Sequence, residues 1–349
     1  MEANARRVAD YCAQHGLRWR PHIKTHKSRR IARLQLERGA RGLTVATPHE
    51  AEVMSAVTAD LLLAYPPVGP ARLERVLGLP ESVDLKVALD STEVLAPLAA
   101  ASRAAGRSIG ILVEVDVGLR RVGVQGVDAA VRLAEAVAAS EGVRYRGILF
   151  YAGHIRGTGP AEDAAIAQLS ADVAALCEGL ASAGLVPEIV SGGTTPTLWR
   201  SHEIEGLTEV RAGTCIFNDR DALAVGAARE ADLAYTVLAT VVSTAVAGRA
   251  AVDAGSKALA KEPRGGRGTF GRLLDRPEVE VVALSEEHGM LDLGNTAWRP
   301  AVGDRVRIVP NHVCVSVNLQ DRILLEGADG LVEAVALEGR GRVPAEVGP

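Results

Sequence analysis

Over the first two thirds of the chain, short apolar runs rich in branched residues alternate with Ala/Leu/Glu/Arg stretches of helical period. The apolar runs at 17–23, 42–46, 60–64, 83–89, 109–116, 145–151, 187–191 and 207–212 predict eight strands. Helical period fills the intervals at 28–38, 48–57, 91–105, 127–139 and 160–183, and the first residues open a further helix. Eight β-α units in about 230 residues predict a (β/α)8 barrel of the TIM type, with its working face at the C-terminal ends of the strands. An open doubly wound sheet is the alternative. Beyond residue 230 the helical period fades. Short alternating runs at 235–243, 249–252, 278–283, 305–309, 313–317, 322–325 and 331–336, separated by turn residues, predict a small antiparallel β domain. The reading is therefore a barrel over 1–230 and a C-terminal β domain over 231–349. The Gly- and Arg-rich segment 261–272 predicts a flexible loop, and 339–349 a frayed tail.

Composition narrows the function classes. The 349 residues are 48% hydrophobic, enough for a large core and about two domains. A net charge of -4 gives no bulk electrostatic case for nucleic acid or an anionic membrane. The basic stretches at 24–33 and 264–272 are short and read as solvated faces. No apolar run approaches the ~20 residues that span a bilayer, and the N-terminus carries no signal-peptide core. Cys12, Cys177, Cys215 and Cys314 are scattered and form no disulfide framework, so a reducing cytoplasm is expected.

The chemistry concentrates in a few motifs. Lys24 lies in Arg20-Pro-His-Ile-Lys-Thr-His-Lys27, where the first strand ends and a barrel presents its reactive groups. A lysine amine attacks a carbonyl only when neutral, and Arg20, His22, His26 and Lys27 are neighbours able to lower its pKa. The bland reading is a surface basic cluster. Two Gly-rich loops weigh against it. Ser191-Gly-Gly-Thr-Thr-Pro196 and Arg211-Ala-Gly-Thr214 follow the seventh and eighth strands, where barrels often bind phosphate. Gly193, Thr194, Gly213 and Thr214 offer backbone amides and hydroxyls to an anion. A lysine opposite a phosphate cradle points to a phosphorylated aldehyde, for which pyridoxal phosphate is the candidate. Arg121, after the fifth strand, is placed to reach the cofactor's phenolic oxygen or to pair with Asp116 or Glu114. Tyr151 and His154, after the sixth, are candidates for ring contact or acid-base work, or simple packing. Nearly three hundred residues on, His312 and Cys314 stand two apart on an expected strand, where alternation puts both on one face. Imidazole plus thiolate suits zinc and leaves positions for water or substrate. On spacing alone the pair is as readily a buried cysteine beside a surface histidine. His288, in Glu286-Glu-His-Gly289, is either a supporting group for that pair or a turn residue.

Taken in order, these motifs, with Asp116-Val-Gly-Leu-Arg-Arg-Val-Gly123 and Pro310-Asn-His-Val-Cys314, resemble the D-serine dehydratase and D-threonine aldolase family, over roughly residues 5–337. The resemblance implies a barrel of the alanine racemase type binding pyridoxal phosphate, a C-terminal β domain, a divalent metal beside the cofactor, and a homodimer. Carried over by motif, Lys24 would hold the cofactor covalently, Arg121 its ring oxygen and Tyr151 the ring. Gly193, Thr194, Gly213 and Thr214 would hold the phosphate, with His22 and Arg211 also at the cofactor. His312 and Cys314 would bind the metal. The implied activity is a lyase acting on small D-β-hydroxy amino acids. A D-serine dehydratase-like enzyme gives keto acid plus ammonia; the alternative is an aldolase of the D-threonine or D-3-hydroxyaspartate type, giving glycine plus aldehyde. Aldolase relatives more often carry aspartate in place of Cys314, suited to Mn2+ or Mg2+; cysteine suits Zn2+ and the dehydratase branch. An amino acid racemase and a non-catalytic cofactor carrier are further alternatives. The chain departs from the pattern at Cys215, where tyrosine is usual. It also lacks the short strand that precedes the first barrel helix, which leaves the β domain one strand short or the start placed elsewhere.

Overall fold

The computed structural model describes residues 1–262, 266–327 and 329–341. The chain divides into two compact units, Asn4–Gly213 with the residues from Glu338 onward, and Thr214–Leu337.

The first unit is the expected barrel. Its strands are β1 (Arg18–Trp19), β2 (Leu43–Val45), β3 (Asp60–Leu63), β4 (Asp84–Leu89), β5 (Ile109–Val115), β6 (Val143–Phe150), β7 (Ile189–Gly192) and β8 (Glu209–Val210). They pair in parallel in the order β1-β8-β7-β6-β5-β4-β3-β2. The ring closes between its two ends through a parallel bridge from His22 to Thr44, with Thr44 N–H donating to Pro21 O and Arg41 N–H to Trp19 O. β1 is shorter than the apolar run suggested because Pro21 has no N–H to donate. The ladder to β8 nevertheless continues on either side of it, through Arg20 N to Val210 O and His22 N to Arg211 O. Leu62, Ala88, Leu112, Leu149 and Ile189, one from each of five adjacent strands, pack as a buried layer.

The outer helices follow the predicted intervals, with one addition. Pro70–Leu77 is helical, in an interval where no helix was expected. Pro70 sits in the first turn, where a missing N–H costs nothing. The 23-residue helix Pro160–Ser182 is long and apolar enough on average to cross a bilayer, contrary to the expectation that no stretch would be. It carries Glu162, Asp163, Asp172 and Glu178, and its buried stripe of Ile166, Leu169, Val173, Leu176 and Leu180 has the spacing of a barrel's outer helix.

The second unit is built on a six-stranded antiparallel sheet. Its strands are β9 (Val237–Ser243), β10 (Arg249–Val252), β11 (Gly271–Leu273), β12 (Val281–Leu284), β13 (Gly289–Asp292) and β14 (Arg305–Pro310), in the order β11-β14-β9-β10-β13-β12. Val241, Val252, Val281, Leu291 and Ile308 are fully buried in its core. β15 (Arg322–Glu326) and β16 (Val332–Ala336) form a separate hairpin. Of the predicted loop at 261–272, residues 263–265 lie outside the described residues and the end enters β11. The predicted tail is anchored at its start, where Gly339 N–H donates to Lys27 O; residues 342–349 lie outside the described residues. The strand expected at 313–317 is a helix, Val313–Asn318. Its valines favour a strand locally, but the Asp219 carboxylate accepts the Val313 N–H at 2.9 Å and satisfies the helix's first turn.

Candidate active site

Lys24 lies in a 3-10 turn, Ile23–Thr25, just past the end of β1. Its neighbours Ile23 and Thr25 are buried, while Lys24 itself is exposed. The ammonium lies 6.0 Å from the centre of the Tyr151 ring, and the Arg121 guanidinium 4.9 Å from the same centre. Three predicted site residues from three different β-α connections thus gather at one place. The Arg121 loop is shaped by Asp116, whose Oδ1 accepts the N–H groups of Gly118 and Arg120, and by Asp90, which accepts that of Gly123. His154 is exposed and lies beside Gly118.

The cations around Lys24 are not equivalent. Arg20 turns away to Glu209 (2.9 Å) and Asp60 (2.6 Å). Lys27, held at a φ of 52°, pairs with the fully buried Glu50 at 2.6 Å. His26 is buried and bonded to Gln35 at 3.0 Å; burial pushes it down to about 4, so it is neutral. None of these three is a spare cation for Lys24, which corrects part of the sequence expectation. His22 is no spare cation either. Burial, then the charges of Lys24, Arg211 and Lys27, hold its imidazole well below the usual histidine range. Its Nδ1 is enclosed and has no partner among the described residues.

The two Gly-rich loops are tight. Gly193 has a φ of +78°, and a Cβ there would stand 2.8 Å from Val210 Cγ1. A Cβ on Gly213 would stand 2.3 Å from His22 O, so only glycine lets this loop lie against the lysine turn. The buried N–H groups of Gly193, Thr194 and Gly213 have no hydrogen-bond partner among the described residues. Unpaired buried amides are costly, and an anion such as a phosphate satisfies them. The Thr194 hydroxyl is itself engaged with Thr197, so the loop offers its backbone rather than that side chain.

Arg211 is buried between these loops and donates to Ser191 Oγ (2.9 Å) and Phe150 O (2.7 Å). Burial lowers its pKa to about 10, against the opposing pull of Glu209 and Glu114. A hydrogen-bonded chain leads back from it, Ser191 to Glu209, Arg20, Asp60 and Lys86, so charge-paired side chains and not aliphatics fix its place. Glu114 is buried, and that burial raises its pKa despite Arg211 and Arg121.

The second unit holds the other constellation. His312 caps the helix Val313–Asn318 with extended backbone, and Cys314 lies in that helix's first turn. Helix geometry, not strand alternation, therefore sets the pair. The two side chains interact, and the Thr214 hydroxyl lies 3.4 Å from Cys314 Sγ. His312 Nδ1 bonds Asp219 Oδ2 at 3.0 Å. Burial works against the imidazolium, but Asp219 and Cys314 outweigh it and push His312 up to about 10. An imidazolium between a carboxylate and a thiol is a cation site occupied by a proton, so the donor set fits a divalent metal. Asp219, Asp221 and His312 offer ligand atoms within 4.8 Å of one another. Neither aspartate was read from the sequence, because Asp219 lies 93 residues from His312. Cys215 is buried in the 3-10 turn Thr214–Ile216, and His288 is an exposed turn residue between β12 and β13.

Known proteins are similar over most of the chain. Residues 1–221 match the family model "Alanine racemase, N-terminal domain", and residues 234–325 match "Putative serine dehydratase domain". The chain belongs to the D-serine dehydratase and D-threonine aldolase family. Within that family it is 34% identical to D-threo-3-hydroxyaspartate dehydratase of Delftia sp. strain HT23, over 95% of this chain and 93% of that protein. It is 32% identical to 3-hydroxy-D-aspartate aldolase of Paracoccus denitrificans strain Pd 1222, over 92% of this chain and 84% of that one. The crystal structure of D-threonine aldolase from Filomicrobium marinum superposes with a TM-score of 0.89 at 31% identity, covering 97% of this chain and 92% of that one. The D-threo-3-hydroxyaspartate dehydratase has also been solved with a histidine replaced by alanine, and, metal-free, with a cysteine replaced by alanine two positions further on.

Proposed function

We propose that this chain is a pyridoxal phosphate- and metal-dependent lyase that removes water from a D-β-hydroxy amino acid, giving a keto acid and ammonia. The observation that carries the reading is the His312–Cys314 pair, a metal donor set in a chain whose barrel also gathers Lys24, Tyr151 and Arg121 around a phosphate-ready pair of loops. Racemisation has no use for such a donor set.

Lys24 holds the cofactor through its Nζ, and the amides of Gly193, Thr194 and Gly213 take the phosphate. Thr214 is assigned to the same phosphate. Tyr151 would contact the ring, Arg121 would hold its oxygen, and His22 and Arg211 would complete the surround. His312 and Cys314 hold the metal, and the thiolate favours Zn2+ over Mn2+ or Mg2+. When bound, the cofactor supplies an electron sink and the metal a Lewis acid for the departing β-hydroxyl. Lys24 Nζ, beside the place where the cofactor would be held, would take the substrate's α-proton. Loss of that proton and of hydroxide is loss of one water; its return on hydrolysis of the enamine product releases ammonia. Arg211, fixed by Ser191 and Phe150 O, keeps a positive charge in the buried floor of the site. A homodimer in a reducing cytoplasm fits the family habit and the four free cysteines.

Aldol cleavage is the second reading, favoured by aldolase relatives of equal similarity. Cys314 supports the first, because a thiolate suits zinc, and the Delftia dehydratase has been solved metal-free in a cysteine-to-alanine form. Purified protein loaded with pyridoxal phosphate and zinc is incubated with D-serine, D-threonine and D-threo-3-hydroxyaspartate. Keto acid and ammonia in equal amounts support the dehydratase; glycine and aldehyde establish the aldolase; neither product defeats both.

A further inference from the structure

We infer that Asp219 is the positioning residue of the metal centre, orienting both proposed ligands with one carboxylate; the inference rests on the metal reading above. Asp219 is only 1% exposed and makes three hydrogen bonds from two oxygens. Oδ1 accepts the Ala222 N–H at 2.8 Å and caps the helix Arg220–Ala224. Oδ2 accepts from His312 Nδ1 at 3.0 Å and from the Val313 N–H at 2.9 Å. With a metal in place of the second proton, the first of these bonds would keep a proton on Nδ1, fix the ring and leave Nε2 as the donor atom. The second anchors the start of the helix that carries Cys314, one residue away, so the same oxygen sets the direction of both donors. The alternative, that Asp219 is itself a ligand, would have to use the remaining lone pair of Oδ1, because Oδ2 already serves two N–H groups. Asp221, 7% exposed and within 4.8 Å, is the carboxylate placed to complete the set.

The role differs from that of a plain helix cap, and substitutions separate the two. Asp219→Ser keeps a capping oxygen for the Ala222 N–H but is too short to serve His312 and Val313 as well. Asp219→Asn keeps an uncharged acceptor for them. Zinc affinity is measured on the full-length, cofactor-loaded protein by competition with a chromophoric chelator, and unfolding is followed in excess chelator. Asp219→Ser is expected to bind zinc roughly 10–100-fold more weakly, with Asn between it and wild type, while the metal-free midpoints stay together. At saturating cobalt the thiolate-to-metal absorption persists in Asp219→Ser and disappears in Cys314→Ala, because Cys314 and not Asp219 supplies the thiolate. Wild-type zinc affinity in both variants overturns the inference, as does a loss of zinc that merely tracks unfolding of the metal-free protein. If one variant does not fold, the other decides. A wild type that takes up neither zinc nor cobalt sinks the metal reading itself and the inference with it; normal uptake with unaffected variants removes the inference alone.

Discussion

Gly213 is the position where the smallest possible change does the most to the barrel's mouth. A methyl group there would stand 2.3 Å from His22 O and 3.2 Å from His22 C, both backbone atoms. Ordinary contact begins near 3.4 Å, so the Gly213 loop and the lysine turn must part by about 1 Å. Neither side yields easily. His22 is bridged to Thr44, and its N–H donates to Arg211 O. Trp19, fully buried on the same turn, donates its indole N–H to Ala212 O at 3.2 Å. Overpacking of this kind costs about 1–3 kcal/mol. The displacement also separates Lys24 from the phosphate cradle that must hold the other end of the same cofactor. A misplacement of that size lowers binding of a rigid ligand by roughly 10–100-fold. The assay titrates pyridoxal phosphate into apo-protein and follows the visible band, with urea unfolding alongside. Gly268→Ala, where a methyl group meets nothing within 4 Å, is the control. Cofactor affinity within twofold of wild type in Gly213→Ala would falsify the claim that backbone proximity at this residue shapes the site.

Three further outcomes are expected. Lys24→Ala abolishes the visible absorption of the bound cofactor and turnover together; a retained band would assign the covalent bond to another lysine. Glu50→Gln leaves the Lys27 ammonium, 13% exposed, without its buried counter-charge and costs about 3–5 kcal/mol by urea unfolding, whereas a loss under 1 kcal/mol contradicts a rigid lysine turn. Acid destabilises the barrel through His26, whose folded value of about 4 lies below its ordinary 6.5. The unfolded chain takes the proton first as pH falls, so stability present above 6.5 is lost toward 4, by about 2 kcal/mol between pH 7 and 5. His22 adds loss in the same direction. His26→Gln must therefore show a shallower decline than wild type, and equal slopes would mean that His26 is not buried as a neutral ring.

Much of this protein was legible along the chain because the governing signals are local. The two-residue alternation of branched residues and the longer beat of Ala/Leu helices are set by which faces a strand or helix must bury, so eight strands and all but one of their outer helices could be placed before any contact was known. Glycine at 193 and 213, lysine at 24, and histidine and cysteine at 312 and 314 are each the residue type that their proposed chemistry requires. Three-dimensional packing decided what those signals leave free. Val313–Asn318 is helical because a carboxylate from Asp219 meets its first N–H, overriding the local preference of its valines. Arg20, His26 and Lys27, neighbours of Lys24 in sequence, are drawn off by Glu209, Gln35 and Glu50. Asp219 carries no mark in sequence, because a hydrogen bond across 93 residues depends on how the chain folds back and not on any spacing along it.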